Sequence, residues 1–561
     1  MYSRRSFLKV SSLAGGSAVL STALTGCTAT GLARTLSTLN FLHGVASGDP
    51  LADGIILWTR ATPQLPGKPL TLFWELAEDP EFNAVIRNGH VQTDQARDYT
   101  VKIDVTELQP GRDYFYRFHG WQVISPIGRA RTLPQGAVKQ LRLAVLSCAN
   151  YPAGHFNVYR EAAKYTDLDA VLHLGDYIYE YGMGGYATDK ALEIGRGLPD
   201  NNSGELYTLD DYRRRYALYR SDNDLQAIHA AAPFIVVWDD HEIANDTWRG
   251  GAQNHSDDEG SFEARKLAAL QAYFEWLPIR PANGQHSEQI YRSFEFGELA
   301  ALHMLDTRVI GRDKQLDYPD FVDAKTGIMD HALFRAKLGD PQRSMVGKPQ
   351  LSWLAGQIEQ SSAHWQLLGQ QVLMGKMNTP AEMLTAESLS DIPVRLAELV
   401  QLKRREQSGE TLTDEQQARL AAVTPYNLDA WDGYPVERER LYQLAEKAGK
   451  KLVVVAGDTH NAWYSKLVDQ AGQEVGVEFA TSSVSSPGME SYFGMDDATA
   501  IELAGSLPLL VDDLHYCNLH QRGFLLLTVD QSSIQAHWQF VDNVSSSKYR
   551  VDGGHRVEYS R

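Results

Sequence analysis

The sequence predicts a layered α/β domain preceded by a small all-β sandwich. From residue 136 onward, apolar β runs alternate with helical stretches, the pattern of layered α/β folds. Between residues 40 and 135 the strands are short and bounded by turn residues, with no helical period between them. A third observation concerns the strand ends: five apolar runs of the larger domain terminate in polar, ionisable or metal-competent residues. The chain has 561 residues, 43% of them hydrophobic, which is enough apolar material for a sizeable core.

The N-terminus reads as an address. Ser3-Arg4-Arg5-Ser6-Phe7-Leu8-Lys9 precedes a mild apolar run over 10–24 and resembles a twin-arginine (Tat) export signal. Leu24-Thr25-Gly26-Cys27 then resembles a bacterial lipobox. The run falls short of the roughly 20 apolar residues that a membrane span needs. The expectation is a signal over 1–26, a lipid on Cys27 and a linker over 27–39. The Tat translocase would be a transient partner, and the mature protein would be exported and lipid-anchored in the cell envelope or periplasm. Thr28 is not an Asp-type retention signal, which favours the outer membrane where there is one. Tat export usually follows folding, so a metal could be loaded before crossing.

Within 40–135, residues 54–58, 72–76 and 99–105 read as strands. Leu108-Gln109-Pro110-Gly111-Arg112-Asp113-Tyr114 resembles the turn and tyrosine corner of fibronectin- or immunoglobulin-like sandwiches. In the larger domain, over 136–561, run 141–146 meets Ser147-Cys148-Ala149-Asn150-Tyr151, and run 170–174 meets Gly175-Asp176-Tyr177-Ile178-Tyr179. Run 234–238 meets Asp239-Asp240-His241-Glu242, run 300–305 meets Asp306-Thr307-Arg308, and run 452–456 meets Gly457-Asp458-Thr459-His460-Asn461. In layered α/β folds the carboxyl ends of strands converge on one crevice. So many carboxylates at such ends need cations or donors to offset their desolvation. Two segments read as helical insertions that cover or lid this crevice: 194–224, and about 383–424, where Thr413 and Gln416 form a capping box.

The residue types sort by chemistry. Thiolate and phenolate suit a strong Lewis acid such as Fe³⁺, whereas oxygen-only ligands suit Ca²⁺, Mg²⁺ or Mn²⁺. This assigns Cys148, Tyr179 and His460 to one ion, Asp240 and Asp458 to a second, and Asp176 to the bridge. Cys517 reads as a packed thiol and 403–406 as a solvated charged helix face.

This pattern resembles the calcineurin-like metallophosphoesterase superfamily. Gly175-Asp176, Asp240-His241-Glu242 and Gly457-Asp458-Thr459-His460 stand where that superfamily has its motifs, and Tyr179 is similar to the iron-binding tyrosine of purple acid phosphatases. The usual first Asp-x-His is absent, and Ser147-Cys148 stands there instead. With His43-Gly44-Val45-Ala46-Ser47-Gly48-Asp49-Pro50 and Leu57-Trp58-Thr59-Arg60, these departures are what the PhoD-type alkaline phosphatases show. The resemblance implies a four-layer metallophosphoesterase sandwich with a βαββα-type core, Fe³⁺ and Ca²⁺ as cofactors, and hydrolysis of phosphate esters at alkaline pH. Mn²⁺, Mg²⁺ and Zn²⁺ remain alternative cofactors.

The expected mechanism is attack of metal-activated water on phosphorus, with His241 as general acid. Arg308 would either clamp the phosphate or pair with a carboxylate. Asn245 and Asn461 would bind phosphate or a further calcium. Asp239 would face away from Asp240 if strand alternation continues, and would serve an outer shell or a second calcium. Partners would be small phosphate esters, or lipid or polymer phosphodiesters. A phosphodiesterase or phospholipase-type enzyme on the same site, and a non-catalytic binding lipoprotein, are the alternatives. The formal net charge is −18, and loss of Arg4, Arg5 and Lys9 with the signal takes it to −21. That balance argues against a nucleic-acid-binding surface.

Overall fold

The computed structural model describes residues 39–560, apart from 121, 282–287 and 384–390. The expected export signal and Cys27 lie outside the described residues. Among the described residues, no helix is long and apolar enough to cross a membrane.

Two mixed sheets carry the larger domain. The ten-stranded one runs Val551–Asp552, Ser533–Val541, Arg522–Asp530, Gln140–Leu146, Ala170–His173, Phe234–Val236, Val45–Gly48, Ile55–Arg60 and Thr100–Val105, with Arg556–Ser560 also paired to Ser533–Val541. The seven-stranded one runs Arg292–Phe296, Ala300–Met304, Trp365–Gly369, Leu452–Ala456, Glu474–Ala480, Ala462–Val468 and Leu514–Asn518. All five strands whose ends drew notice in the sequence lie in these sheets, in parallel runs.

The layers follow from side-chain alternation. In Leu452–Ala456, Val453 and Val455 join the core shared by both sheets. Leu452, Val454 and Ala456 face a second core with Leu354 and Ile358 of helix Gly347–Gln360 and Leu441 and Tyr442 of helix Pro435–Lys447. Leu367 and Leu368 divide in the same way. Helices Asn157–Ala162, Leu209–Arg220, Asn223–Ala231 and Phe262–Trp276 add Tyr159, Tyr216, Ile228 and Trp276 to the first core. The order is helix, sheet, sheet, helix.

A four-stranded sheet, in the order Val85–Thr93, Leu70–Ala77, Asp113–His119 and Gly128–Arg131, forms the N-terminal sandwich with Val45–Gly48, Ile55–Arg60 and Thr100–Val105. Leu57, Leu72, Tyr114, Tyr116 and Phe118 fill the space between. The tyrosine corner is present: the Gln109 N–H donates to the Tyr114 hydroxyl at 3.0 Å. The second sheet of this sandwich is continuous with the ten-stranded sheet, because Gly48 pairs with Phe234. Side chains reinforce the join. Trp58 Nε1 donates to the Glu275 carbonyl at 2.8 Å, Arg292 pairs with Asp49 at 2.6 Å and Arg280 with Asp104 at 2.7 Å.

The later insertion contains helices Ile392–Gln407 and Asp414–Ala421, the second opened by the Thr413–Gln416 capping box. Leu396, Leu399 and Leu402 anchor it in the second core, and Lys403 pairs with Glu406 on its partly exposed face. The earlier insertion is no solvated cover. Its helix Leu209–Arg220 buries Tyr212, Arg215, Tyr216, Tyr219 and Arg220, because Arg215 and Arg220 satisfy backbone carbonyls of other segments.

A Cβ at Gly48 would stand 2.4 Å from the Pro278 carbonyl oxygen and 2.6 Å from that of Phe234. Gly48→Ala is therefore expected to cost at least about 2 kcal/mol. Equilibrium chemical denaturation measures this, and limited proteolysis should show the N-terminal unit loosened. An unchanged midpoint would contradict the continuous-sheet account.

Candidate metal centre

The strand ends turn sharply into the crevice. Cys148 (φ 59°), Asp176 (φ 53°), Asp458 (φ 63°) and His460 (φ 62°) all occupy the left-handed region. That backbone is costly for residues with a Cβ and persists where surroundings impose it, as at functional sites. Two glycines permit the approach. A Cβ at Gly175 would lie 2.4 Å from the Asp239 nitrogen, and one at Gly457 would lie 2.3 Å from Ser147 Oγ.

Two groups of buried donors result, and they share one residue. Cys148, Asp176 and His460 form the first, and Asp176, Asp240 and His241 the second. Within each group the donor atoms lie within 4.8 Å of one another. Tyr179 belongs with the first, since its hydroxyl is 3.1 Å from both Asp176 Oδ2 and His460 Nε2. His460 Nδ1 donates to the Pro487 carbonyl at 2.7 Å, which leaves the Nε2 lone pair facing the group. Burial lowers His460 to about 3, so it is the neutral imidazole that binds metals.

The electrostatics fit cations. Burial, then Asp176, pushes the Cys148 thiol well up, and burial with Asp176 and Cys148 does the same to the Tyr179 phenol. Burial also raises Asp176, with Asp239, Asp240 and Glu242 adding to it and His241 opposing. A bound cation reverses this logic and brings out thiolate, phenolate and carboxylate together. Asp176 Oδ1 is buried with no hydrogen-bond partner among the described residues, as an oxygen reserved for an ion would be. The first group offers sulfur, nitrogen and phenol oxygen, which suits iron. The second adds carboxylate, which suits a harder ion.

The other predicted residues have definite places. Arg308 is fully buried; its Nε pairs with Asp239, one terminal nitrogen with Asp429 at 2.7 Å and the other with Asp458 at 3.2 Å. Asp240 lies 3.9 Å from the same guanidinium. The structure thus contains the carboxylate pairing anticipated for Arg308. Asp306 holds it in place by accepting from the backbone nitrogens of Arg308, Val309 and Ile310. Asp458 stands at this arginine, outside the two tight groups. Asp239 does not turn away from Asp240. The strand ends at Val236, so alternation stops and both carboxylates face Arg308. Burial pushes Asp239 up to about 6 against the pull of Arg308. Asp240, which burial alone would raise, is held below the usual carboxylate range by Arg308 and His241. The Asn245 amide donates to Gln253 at 3.1 Å. Asn461 Oδ1 accepts from Met489, and its Nδ2 is buried without a partner among the described residues. Cys148 and Cys517 are both free, and the Cys517 thiol packs in the second core.

Sequence reasoning missed four supports. Glu180 accepts from His241 Nδ1 at 2.7 Å, although it directly follows the tyrosine that was noticed. Asp429 ties Arg308 to Arg312 and stands in a loop with no local signal. The segment Thr481-Ser482-Ser483-Val484-Ser485-Ser486-Pro487 straps the centre. Ser486 Oγ is 2.7 Å from the Tyr179 hydroxyl, the Val484 N–H donates to the Ser147 carbonyl, and Thr481 Oγ1 reaches Val145 in the other sheet. The signal available was a run of small hydroxyl residues straight after a buried strand. Tyr186, stacked on Tyr179, had none.

Gly175→Ala should displace Asp239 and add strain in the left-handed turn, at roughly 1–3 kcal/mol for each effect. Denaturation midpoints test this, and wild-type stability in the variant would refute the close-approach account.

Comparison with known proteins identifies the family. A model of the PhoD-like phosphatase family matches residues 143–538, and one of the PhoD-like phosphatase N-terminal domain matches 26–134. The chain is 34% identical over 508 residues to alkaline phosphatase D of Bacillus subtilis (strain 168), spanning 87% of this chain and 77% of that protein. The solved structure of PhoD matches with a TM-score of 0.73 at 30% identity, covering 95% of this chain and 92% of that one. The resemblance drawn from the motifs therefore holds over both domains, and this chain belongs to the PhoD-like phosphatase family.

Proposed function

We propose that this protein is an exported, lipid-anchored phosphoesterase that hydrolyses phosphate monoesters or diesters at alkaline pH with Fe³⁺ and Ca²⁺. The observation that carries the reading is the sharing of Asp176 between two buried donor groups of different chemistry. Asp176 would be a ligand common to two ions. Cys148, Tyr179, His460 and Asp176 would hold iron. Asp176 and Asp240 would hold calcium, with Asp458 nearby across Arg308. When bound, such ions supply Lewis acidity toward the phosphoryl oxygens and acidify a water.

The chain's own residues supply the rest. His241 is gripped at Nδ1 by Glu180 at 2.7 Å and stacked on Tyr179 with ring centres 4.1 Å apart. This fixes its Nε2 toward the second group. Burial lowers its basicity, but Asp240, Glu180 and Asp176 outweigh burial and raise it well above the usual value. With Asp176 and Asp240 committed to cations, its hydrogen bond to Glu180 is what would hold a proton on the ring for delivery to a departing alkoxide. Arg308 positions Asp239, Asp240 and Asp458 by neutralising them.

Two experiments test the reading. Elemental analysis of Cys148→Ala should show loss of iron, together with loss of the tyrosinate-to-iron absorption band and of most activity. Normal iron content and turnover would sink the assignment. For His241→Gln, the loss in kcat should reach about 10²–10⁴-fold on alkyl phosphates and be clearly smaller on 4-nitrophenyl phosphate, whose leaving group needs no proton. Equal losses on both would remove His241 from the acid role.

A further inference from the structure

A ladder of aromatic rings climbs from the metal centre to solvent. At its foot, Tyr179 and His241 stack with centres 4.1 Å apart. Tyr186 lies above both, 6.0 Å from Tyr179 with planes 23° apart, and 6.4 Å from His241 with planes 6° apart. Tyr492 follows, 6.4 Å from Tyr186 at an interplanar angle of 14°. Four rings from three parts of the chain thus stack with successive planes 6° to 29° apart. Hydrogen bonds fix the upper pair: the Tyr492 hydroxyl donates to that of Tyr186 at 3.0 Å, and Tyr186 donates to the Pro487 carbonyl at 3.3 Å.

The top of the ladder is open. Tyr179 is 1% exposed, whereas Tyr492 is 52% exposed. Its surroundings are nevertheless those of the centre. Burial raises its hydroxyl, and beyond the bond to Tyr186 the charges acting on it are those of His241, Asp458 and Cys148. Packing explains the three inner rings, which are largely enclosed. It does not explain an aromatic ring left half in water and aligned with them. Offset, nearly parallel rings favour a further flat ring on the free face. With His241 as the acid, the leaving group of a phosphoester would lie on the His241 side of the centre, where the Tyr186 ring also stands parallel to it.

We propose that Tyr492 and Tyr186 form a leaving-group subsite for phosphate esters of planar aromatic groups, such as aryl or nucleobase-bearing alcohols, with the Tyr492 ring as the stacking platform. The inference rests on the phosphoesterase reading above and names the class of substrate that site prefers. Such stacking is tolerant of ring substituents, because every aromatic ring offers a π-face.

The test compares kcat/KM for phenyl phosphate, glycerol phosphate and glucose 6-phosphate in the iron- and calcium-loaded enzyme and its variants. Each variant's ratio is set against the wild type, so the intrinsic reactivity of phenol cancels. Tyr492→Ala should lower the phenyl-to-glycerol ratio about tenfold through KM. Tyr492→Phe, which keeps the ring and loses the hydroxyl, should retain most of the ratio. An unchanged ratio in Tyr492→Ala overturns the subsite, as does a loss confined to kcat or a larger effect on the sugar phosphate. If the loaded wild type hydrolyses neither these three monoesters nor their methyl diesters, on which the same ratio is read, the phosphoesterase reading falls and takes the subsite with it. Activity of the wild type with an indifferent Tyr492→Ala removes the subsite alone.

Discussion

Asp176, Asp239, Asp240 and Glu242 are all buried within one region, with Asp429 and Asp458 closing on it from neighbouring loops. Carboxylates removed from water must find cations or donors. Arg308 answers part of this demand from the centre, touching Asp239, Asp429 and Asp458. Glu242 is answered by backbone, accepting from the nitrogens of Asp176, Tyr177 and Asp239. Asp176 and Asp239 each keep one buried oxygen unpartnered among the described residues, but the other oxygen of Asp239 meets Arg308 whereas that of Asp176 meets the Tyr179 hydroxyl. The residual negative charge falls where the donor groups meet, which is where cations would sit.

That charge distribution depends on backbone placement. The Gly175 and Gly457 contacts bring strand ends closer than any side chain would allow. The serine-rich strap then locks both sheets to one another. It bonds to Val145 and to the Ser147 and Cys148 carbonyls on one side, and follows directly from strand Glu474–Ala480 on the other. The same strap orients Tyr179 through Ser486 and His460 through Pro487. Fold and site are thus held by the same few bonds. The N-terminal sandwich joins this frame through the shared sheet, so the Phe234–Val236 strand, which leads to Asp239 and Asp240, is braced on both sides.

The aromatic ladder stands in the same frame. Tyr179 serves the metal group at its hydroxyl and His241 at its ring face, and Tyr186 carries that stack outward. Arg215, buried in helix Leu209–Arg220, holds the carbonyls of Tyr179 and Tyr181 and so steadies the loop bearing these rings. A segment that looked like a surface insertion is therefore part of the support for the centre.

The layered fold, the sandwich before it and the principal donor residues were legible because each rests on local pattern. Unbroken apolar runs mark strands buried on both faces, and a run that ends in Asp, Cys or His marks a place where polar groups enter a buried edge. The tyrosine corner at Tyr114 and the capping box at Thr413 are equally local, and both are present. Continuity of the sandwich with the large sheet was not legible, because it depends on Gly48 meeting Phe234 across 186 residues. Asp239 was misjudged in direction because alternation was extended past Val236, where the strand has already ended. The strap, Asp429 and the upper rings of the ladder share one reason for escaping notice. Their roles come from contacts between segments far apart in the chain, which no local spacing encodes. By itself, the sequence determined which chemistry the strand ends could perform. Only the tertiary structure decided that Asp176 stands between two donor groups, that Arg308 is paired with carboxylates, and that Tyr492 lines up with Tyr186.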